Sequence, residues 1–96
     1  MSDIVKMVDV DPVLQGVLKI EWKDGYAGLV DLRPVLAEGA AFAFLRETKR
    51  AFADVQLDPV GHRLYWIDPD GDEVDFGSES LRRRAERQAA ILQLAS

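Results

Sequence analysis

Apolar and polar side chains alternate along the first third of the chain, with the period of a strand that buries one face. The alternation predicts a strand over residues 4–10, ended by Asp11-Pro12, and a second strand over residues 14–22. Asp24-Gly25 predicts a tight turn after it, because glycine supplies the positive φ that such a turn requires. The returning strand then covers residues 26–32.

A helical period replaces the alternation from residue 40 to residue 53, where the apolar side chains lie mainly on one side of a predicted helix. Pro34 suits the first turn of a short helix before it, and Gly39 separates the two. A last helix is predicted over about residues 79–95, with Ser78 or Ser80 as its N-cap.

Between these helices the pattern returns to short strands, at residues 55–57, 63–67 and 73–76. Turns rich in Pro, Gly and Asp separate them. We therefore predict an α+β fold: one meandering antiparallel sheet of five or six strands, a middle helical segment and a C-terminal helix. All 96 residues are assigned to one domain.

The two predicted hairpins resemble each other. Trp22 precedes Val30 by eight residues, Trp66 precedes Val74 by the same spacing, and each interval contains a Gly turn. Either a duplicated hairpin with a pseudo-twofold axis or two unrelated hairpins of similar length explains the spacing. Both explanations favour antiparallel pairing, because the turns are too short for parallel crossovers.

Composition narrows the functional classes. The chain has no cysteine, which excludes disulfides and cysteine zinc sites and favours a reducing compartment. No export signal is visible, and the most apolar stretch, residues 40–45, is far shorter than the ~20 residues of a membrane span. We therefore expect a cytoplasmic protein that does not enter a membrane.

Charge is unevenly distributed within the net value of −5. Residues 1–77 carry 8 basic and 15 acidic side chains, whereas residues 78–96 carry 4 basic and 2 acidic ones. An acidic body disfavours nucleic acid, because phosphate binding needs clustered Lys and Arg. Only the basic C-terminal segment leaves that partner open.

Several core and turn residues, in their order, resemble the small bacterial family catalogued as domain of unknown function 2442. The likeness covers residues 4 to about 85 and follows Val8, Leu18-x-Ile20-x-Trp22-x-Asp24-Gly25, Val30-Asp31-Leu32, Leu36, Leu45, Phe52-x-x-Val55-x-Leu57-Asp58 and Leu64-x-Trp66. It implies a compact α+β unit with no established activity. Relatives encoded beside another small protein, or joined to a helix-turn-helix segment, imply an accessory, antitoxin-like or regulatory role. An Asp-rich turn and an extended, arginine-rich last helix depart from the family pattern.

Candidate metal and acid–base sites have simpler explanations. Asp68, Asp70, Asp72 and Glu79 take four positions of a calcium loop, but Glu73 stands where that loop requires glycine. A solvated turn explains the same aspartates. Asp31 and Asp75 occupy matching places in the two hairpins and would form a carboxylate pair only if the pseudo-twofold axis were real.

The single histidine and the two tryptophans do not indicate a functional site either. His62 lies in a turn and has no second histidine with which to hold zinc. Trp22 and Trp66 each share a strand face with apolar neighbours, which favours the core over a base-stacking platform. We expect no enzymatic activity, and predict no catalytic, cofactor-binding or metal-binding residue.

The last helix is the strongest candidate for a binding surface. One stripe, predicted to cover the sheet, contains Leu81, Ala85, Ala89 and Leu92. Ile91 and Leu94 lie off that stripe, and we predict a partner-binding surface made of Arg83, Arg84, Arg87, Ile91 and Leu94.

This surface predicts a non-enzymatic protein-binding accessory or regulatory module that contacts a protein partner or a second copy through the last helix. The alternative is a nucleic-acid-binding regulator that uses Arg82, Arg83, Arg84 and Arg87.

Overall fold

The computed structural model describes the backbone of residues 6–95 and the side chains of residues 6–93. Its strands are β1 (Met7–Leu14), β2 (Val17–Trp22), β3 (Ala27–Asp31), β4 (Gln56–Leu57), β5 (Arg63–Ile67) and β6 (Glu73–Gly77). Its helices are α1 (Arg33–Leu36), α2 (Ala43–Glu47), α3 (Lys49–Ala53) and α4 (Ser78–Ala95), and a short 3₁₀ turn, Ala40–Phe42, precedes α2. The α+β class is as predicted.

The strands form two sheets of three rather than the predicted single sheet. One sheet has the order β1-β2-β3 and the other β4-β5-β6, and all pairs are antiparallel. The prediction of one sheet was wrong, because no described strand of one sheet pairs with a strand of the other. At the last residue of β3, the Asp31 amide donates to the Gln88 side chain of α4 and not to another strand. The sheets approach each other near Met7, whose amide donates to the Gly61 carbonyl at 2.8 Å.

The first strand does not end at Asp11-Pro12 as predicted but continues to Leu14. β1 is an edge strand, so one of its sides pairs with no other described strand. Proline has no amide hydrogen, and an edge strand tolerates it for this reason. Register shifts on either side of Val8 and of Val13 turn the strand out of simple alternation. Met7 and Val10, three residues apart, therefore both face the core, whereas Val8 is exposed. The predicted start of this strand, residues 4 and 5, lies outside the described residues.

The two hairpins share a turn but not the position of their tryptophans. Each turn is an x-Asp-Gly segment closed by a hydrogen bond from the glycine amide, Gly25 to the Trp22 carbonyl and Gly71 to the Asp68 carbonyl. Trp22 therefore corresponds to Asp68, and Trp66 lies two residues earlier in its own hairpin. Trp66 pairs directly with Val74, whereas Val30 pairs with Leu18. The equal Trp-to-Val spacing does not mark equivalent positions.

The middle helical segment is broken where the sequence pattern predicts one helix. Thr48 is extended, with φ −128° and ψ 113°, and separates α2 from α3. The Gln15 side chain donates to the carbonyls of Leu45 and Arg46, at 3.2 and 2.8 Å, in the last part of α2. These carbonyls are thus satisfied by another part of the chain, as the free end of a helix requires.

Both tryptophans belong to the core, as the pattern predicts. Trp22 and Trp66 are each 1% exposed. The Trp22 indole donates to the Ser78 hydroxyl at 3.1 Å, and the Trp66 indole donates to the Phe52 carbonyl at 2.9 Å. The core joins both sheets, the helical segment and α4 through Met7, Leu18, Ile20, Trp22, Val30, Leu32, Leu36, Leu45, Phe52, Leu64, Trp66, Leu81 and Ala85.

Candidate protein-contact surface

The first part of α4 lies along β3 and completes the core. Leu81 and Ala85 are buried, and Gly28 permits this approach because a Cβ there would lie 3.2 Å from the Ala85 methyl group. Three residues later Gln88 accepts the Asp31 amide at 3.1 Å, at the end of β3. The helix therefore follows the strand to its last residue.

The helix is longer than the strand it covers. Its 18 residues span about 27 Å, whereas the five residues of β3 span only about 17 Å. Ala89 and Leu92, predicted to continue the buried stripe, are exposed for this reason. We call residues 89–93 the helix end.

The helix end displays an aliphatic pair. Ile91 is 59% exposed and Leu92 is 58% exposed. At about 100° per residue, Leu92 lies within about 20° of Leu81 around the helix, so the stripe that fills the core continues past the sheet. No charged residue occurs between Arg87 and the end of the chain. The side chain of Leu94, a predicted contact residue, lies outside the described residues.

Arg82 is engaged within the domain. Its guanidinium forms ion pairs with Asp24 at 3.0 Å and with Glu86 at 3.2 Å, and lies 4.0 Å from the centre of the Tyr26 ring. The pKa of Asp24 is lowered, first by the hydrogen bond from the Tyr26 amide and also by Arg82. Arg82 thus fastens α4 to the β2–β3 turn.

The other three arginines of α4 differ in how far they are exposed. Arg83 and Arg87 are exposed, whereas Arg84 is half-buried. The Arg84 Nε is buried and has no hydrogen-bond partner among residues whose side chains are described. Of the predicted contact residues, the structure therefore leaves Arg83, Arg87 and Ile91 exposed together with Leu92, which the stripe pattern had assigned to the core.

The Asp-rich turn is a hairpin turn organised by its own carboxylate. The Asp68 side chain accepts the amides of Asp70 and Asp72, at 2.9 and 2.8 Å. Such local hydrogen bonds are the usual reason for aspartate in a turn. Within the described part of the chain, no three His, Cys, Asp or Glu side chains are grouped so that they could hold a metal ion.

The two strand-end aspartates belong to different sheets and face different arginines. Asp31 accepts two hydrogen bonds from the Arg33 side chain, which lower the pKa of Asp31. Asp75 lies 3.5 Å from the Arg63 guanidinium. Arg63 also pairs with Glu73 at 3.2 Å and with Asp58 at 3.5 Å, so Asp75 shares its cation with two other carboxylates. Asp31 and Asp75 therefore do not form a carboxylate pair, and they do not occupy equivalent positions in the two hairpins. His62 is half-buried, and its carbonyl accepts the Ser78 amide at 2.7 Å.

None of the helices in the described chain has both the length and the apolar character needed to cross a bilayer. Comparisons with curated proteins and with solved structures gave no significant match. Comparison with protein families matches residues 7–87 to the family described as "Protein of unknown function (DUF2442)". The helix end lies just beyond the matched residues. Since the match spans most of the 96 residues, the chain belongs to the DUF2442 family.

Proposed function

We propose that this chain is a non-enzymatic protein-binding accessory or regulatory module. Its contact surface is the helix end together with Arg83 and Arg87. The observation that carries the proposal is the exposure of Ile91 and Leu92, more than half each, on a helix that has already covered its own sheet.

Energetics favour a partner over a bare helix end. Burying Ile91 and Leu92 against apolar surface would contribute about 1.5–3 kcal/mol for each side chain. Arg83 and Arg87 are exposed, and with Ile91 they follow one another at intervals of four residues along one side of the helix. The two arginines would steer the approach of a partner with acidic groups around an apolar centre. The partner we expect is therefore a protein with an acidic rim around an apolar groove.

The nucleic-acid alternative has weaker support. It needs four free arginines, but Arg82 is paired with Asp24 and Glu86. Residues 1–77 carry a net charge of −7, which opposes a polyanion. The protein-binding role also agrees with the accessory or antitoxin-like role that the family resemblance implies. The absence of cysteine agrees with a location in the reducing cytoplasm.

The test is the double variant Ile91→Ser, Leu92→Ser, compared with the parent chain and with Val60→Ser. Val60 is a matched control because it is an aliphatic residue, 51% exposed, in the turn between β4 and β5 and not in α4. Each chain is immobilised and exposed to lysate of its native cell, and its own mass is measured by light scattering.

We expect all three chains to have the same melting temperature, and only the helix-end variant to lose its partner or its self-association. A double variant that unfolds would place Ile91 and Leu92 in the core, and one that keeps every contact would reject the surface. Binding that collapses between low and moderate salt and disappears on nuclease treatment would favour nucleic acid instead.

A further inference from the structure

A second candidate site lies at the helical segment, among residues outside α4. A pocket of about 320 Å³ opens between the β1–β2 turn and helices α1 and α2. Its accessible apolar part comes from Ala37 and the aliphatic carbons of Arg33 and Arg46, because Leu36 and Leu45 in the same lining are buried. Its polar groups belong to Gln15, Arg33 and Arg46. Its size falls at the lower end of the range of small-molecule sites, about 300–1,000 Å³.

Arg46 is held at this pocket by the backbone. Its Nη1 group donates to the Leu36 carbonyl at 3.1 Å and to the Gly39 carbonyl at 2.8 Å, which uses both hydrogens of that nitrogen. Among the described residues the side chain makes no ion pair and no other hydrogen bond. The Nε–H and Nη2–H groups remain, and together they form the fork that binds a carboxylate with two parallel hydrogen bonds.

Arg33 differs from Arg46 although it lines the same pocket. Its Nε and Nη2 groups already donate to the two oxygens of Asp31, at 2.9 and 2.8 Å. The charge of Arg33 is therefore neutralised within the domain. Arg46 supplies the one uncompensated charge of the pocket lining, since no acidic residue lines it.

We propose that this pocket binds an aliphatic carboxylate. The Nε–Nη2 edge of Arg46 holds the carboxylate, and the hydrocarbon chain lies against Ala37 and the aliphatic carbons of Arg33. Two sources supply this chemistry: a free short-chain acid, and the C-terminal residue of a peptide. The site is separate from the helix end and does not depend on the function proposed for it.

The experiment titrates the isotope-labelled full chain and follows the arginine Nε–H resonances. The probes are octanoate, octylammonium, the peptide acetyl-Ala-Ala-Leu and the same peptide with an amidated C-terminus. We expect octanoate or the free peptide acid to shift the Arg46 Nε–H resonance, and the ammonium and amide probes to leave it unchanged. Octanoate alone would identify a free acid as the source, and the peptide acid alone would identify a chain terminus.

Three variants locate the site. Arg46→Gln should weaken binding at least tenfold, whereas Arg50→Gln should leave it within twofold, because Arg50 is an exposed arginine of the same segment outside the pocket lining. Ala37→Leu keeps Arg46 and its backbone contacts but places three more carbons in the pocket lining, and should also weaken binding. This variant decides the matter if Arg46→Gln does not fold.

The proposal is overturned if no carboxylate shifts the Arg46 resonance. It is equally overturned if octylammonium binds as tightly as octanoate, or if folded Arg46→Gln and Ala37→Leu bind as tightly as the parent.

Discussion

The two parts of helix α4 carry one continuous apolar stripe in different surroundings. From Ser78 to Gln88 the helix covers β3, and its apolar side chains are buried beside Trp22. From residue 89 onward the same stripe continues, but Ile91 and Leu92 face solvent. The difference comes from the length of the strand beneath the helix and not from the helix itself.

This comparison shows what an amphipathic pattern can and cannot assign. A stripe of Leu and Ala side chains at helical spacing indicates that something covers it. In the first part of α4, the surface that covers the stripe is the domain's own sheet. At the helix end the described chain provides no such surface, which is the physical basis for expecting a partner there.

The largest loss of stability should come from removing the core tryptophans, which share the core with the buried part of α4. Trp22→Ala should lower the free energy of unfolding by about 3–5 kcal/mol, and Trp66→Ala by a similar amount, because each leaves a large cavity in the core. Chemical denaturation measures both. A variant that unfolds at the parent's denaturant concentration would mean that its tryptophan is not part of the core.

The next prediction compares the same residue type in the two parts of the helix. Leu81→Ala should cost about 2–5 kcal/mol of stability, since Leu81 is 0% exposed. Leu92→Ala should change stability by no more than about 0.5 kcal/mol, as an exposed substitution does. Equal losses at the two positions, measured by denaturation, would remove the distinction between the buried part and the helix end.

A smaller effect is expected where α4 begins. Ser78→Ala removes the acceptor of the buried Trp22 indole N–H and should cost about 1–3 kcal/mol. Ser80→Ala is the matched control, two residues further along the same helix and half-buried. If both variants are equally stable, the Trp22–Ser78 hydrogen bond does not anchor the helix.

The smallest effect concerns Asp31, at the point where the helix leaves the sheet. Because the Arg33 side chain lowers its pKa, Asp31 stabilises the fold above its unfolded-state pKa and loses this contribution as the pH falls through its folded-state pKa. Asp31→Asn should therefore flatten the fall in stability below about pH 5. A fall in stability below about pH 5 that is unchanged in Asp31→Asn would contradict this contribution of the Arg33–Asp31 pair.

Much of the fold could be predicted because its elements depend on local rules. Alternation located β5 and the end of β2, although the predicted first residues of β2, 14–16, belong to β1 and its turn. The Asp-Gly turns closed both hairpins, and α4 begins within one residue of its predicted start. The split into two sheets could not be predicted, because pairing between strands far apart in the sequence has no local signal. The middle helix is interrupted at Thr48, and the Gln15 side chain hydrogen-bonds the end of α2. A hydrophobic period reveals neither the extended backbone of Thr48 nor this hydrogen bond.

The candidate surface could be predicted only in part. Ile91 stood out because it lies off the apolar stripe, and it is exposed as expected. Leu92 was missed because its position on the stripe indicates burial, and only the length of β3 shows that the sheet has ended. The engagement of Arg82 with Asp24 spans 58 residues of sequence and has no local signal.

The central claim is that the helix end contacts a specific protein, and site-specific photo-crosslinking tests it most directly. A photoreactive amino acid is placed at Leu92 or at Ile67, an exposed aliphatic position in the other sheet, and the chain is expressed in its native cell. We predict one discrete crosslinked product from position 92, which Ile91→Ser abolishes, and none from position 67. No product at 92, or the same products from both positions, would contradict the account.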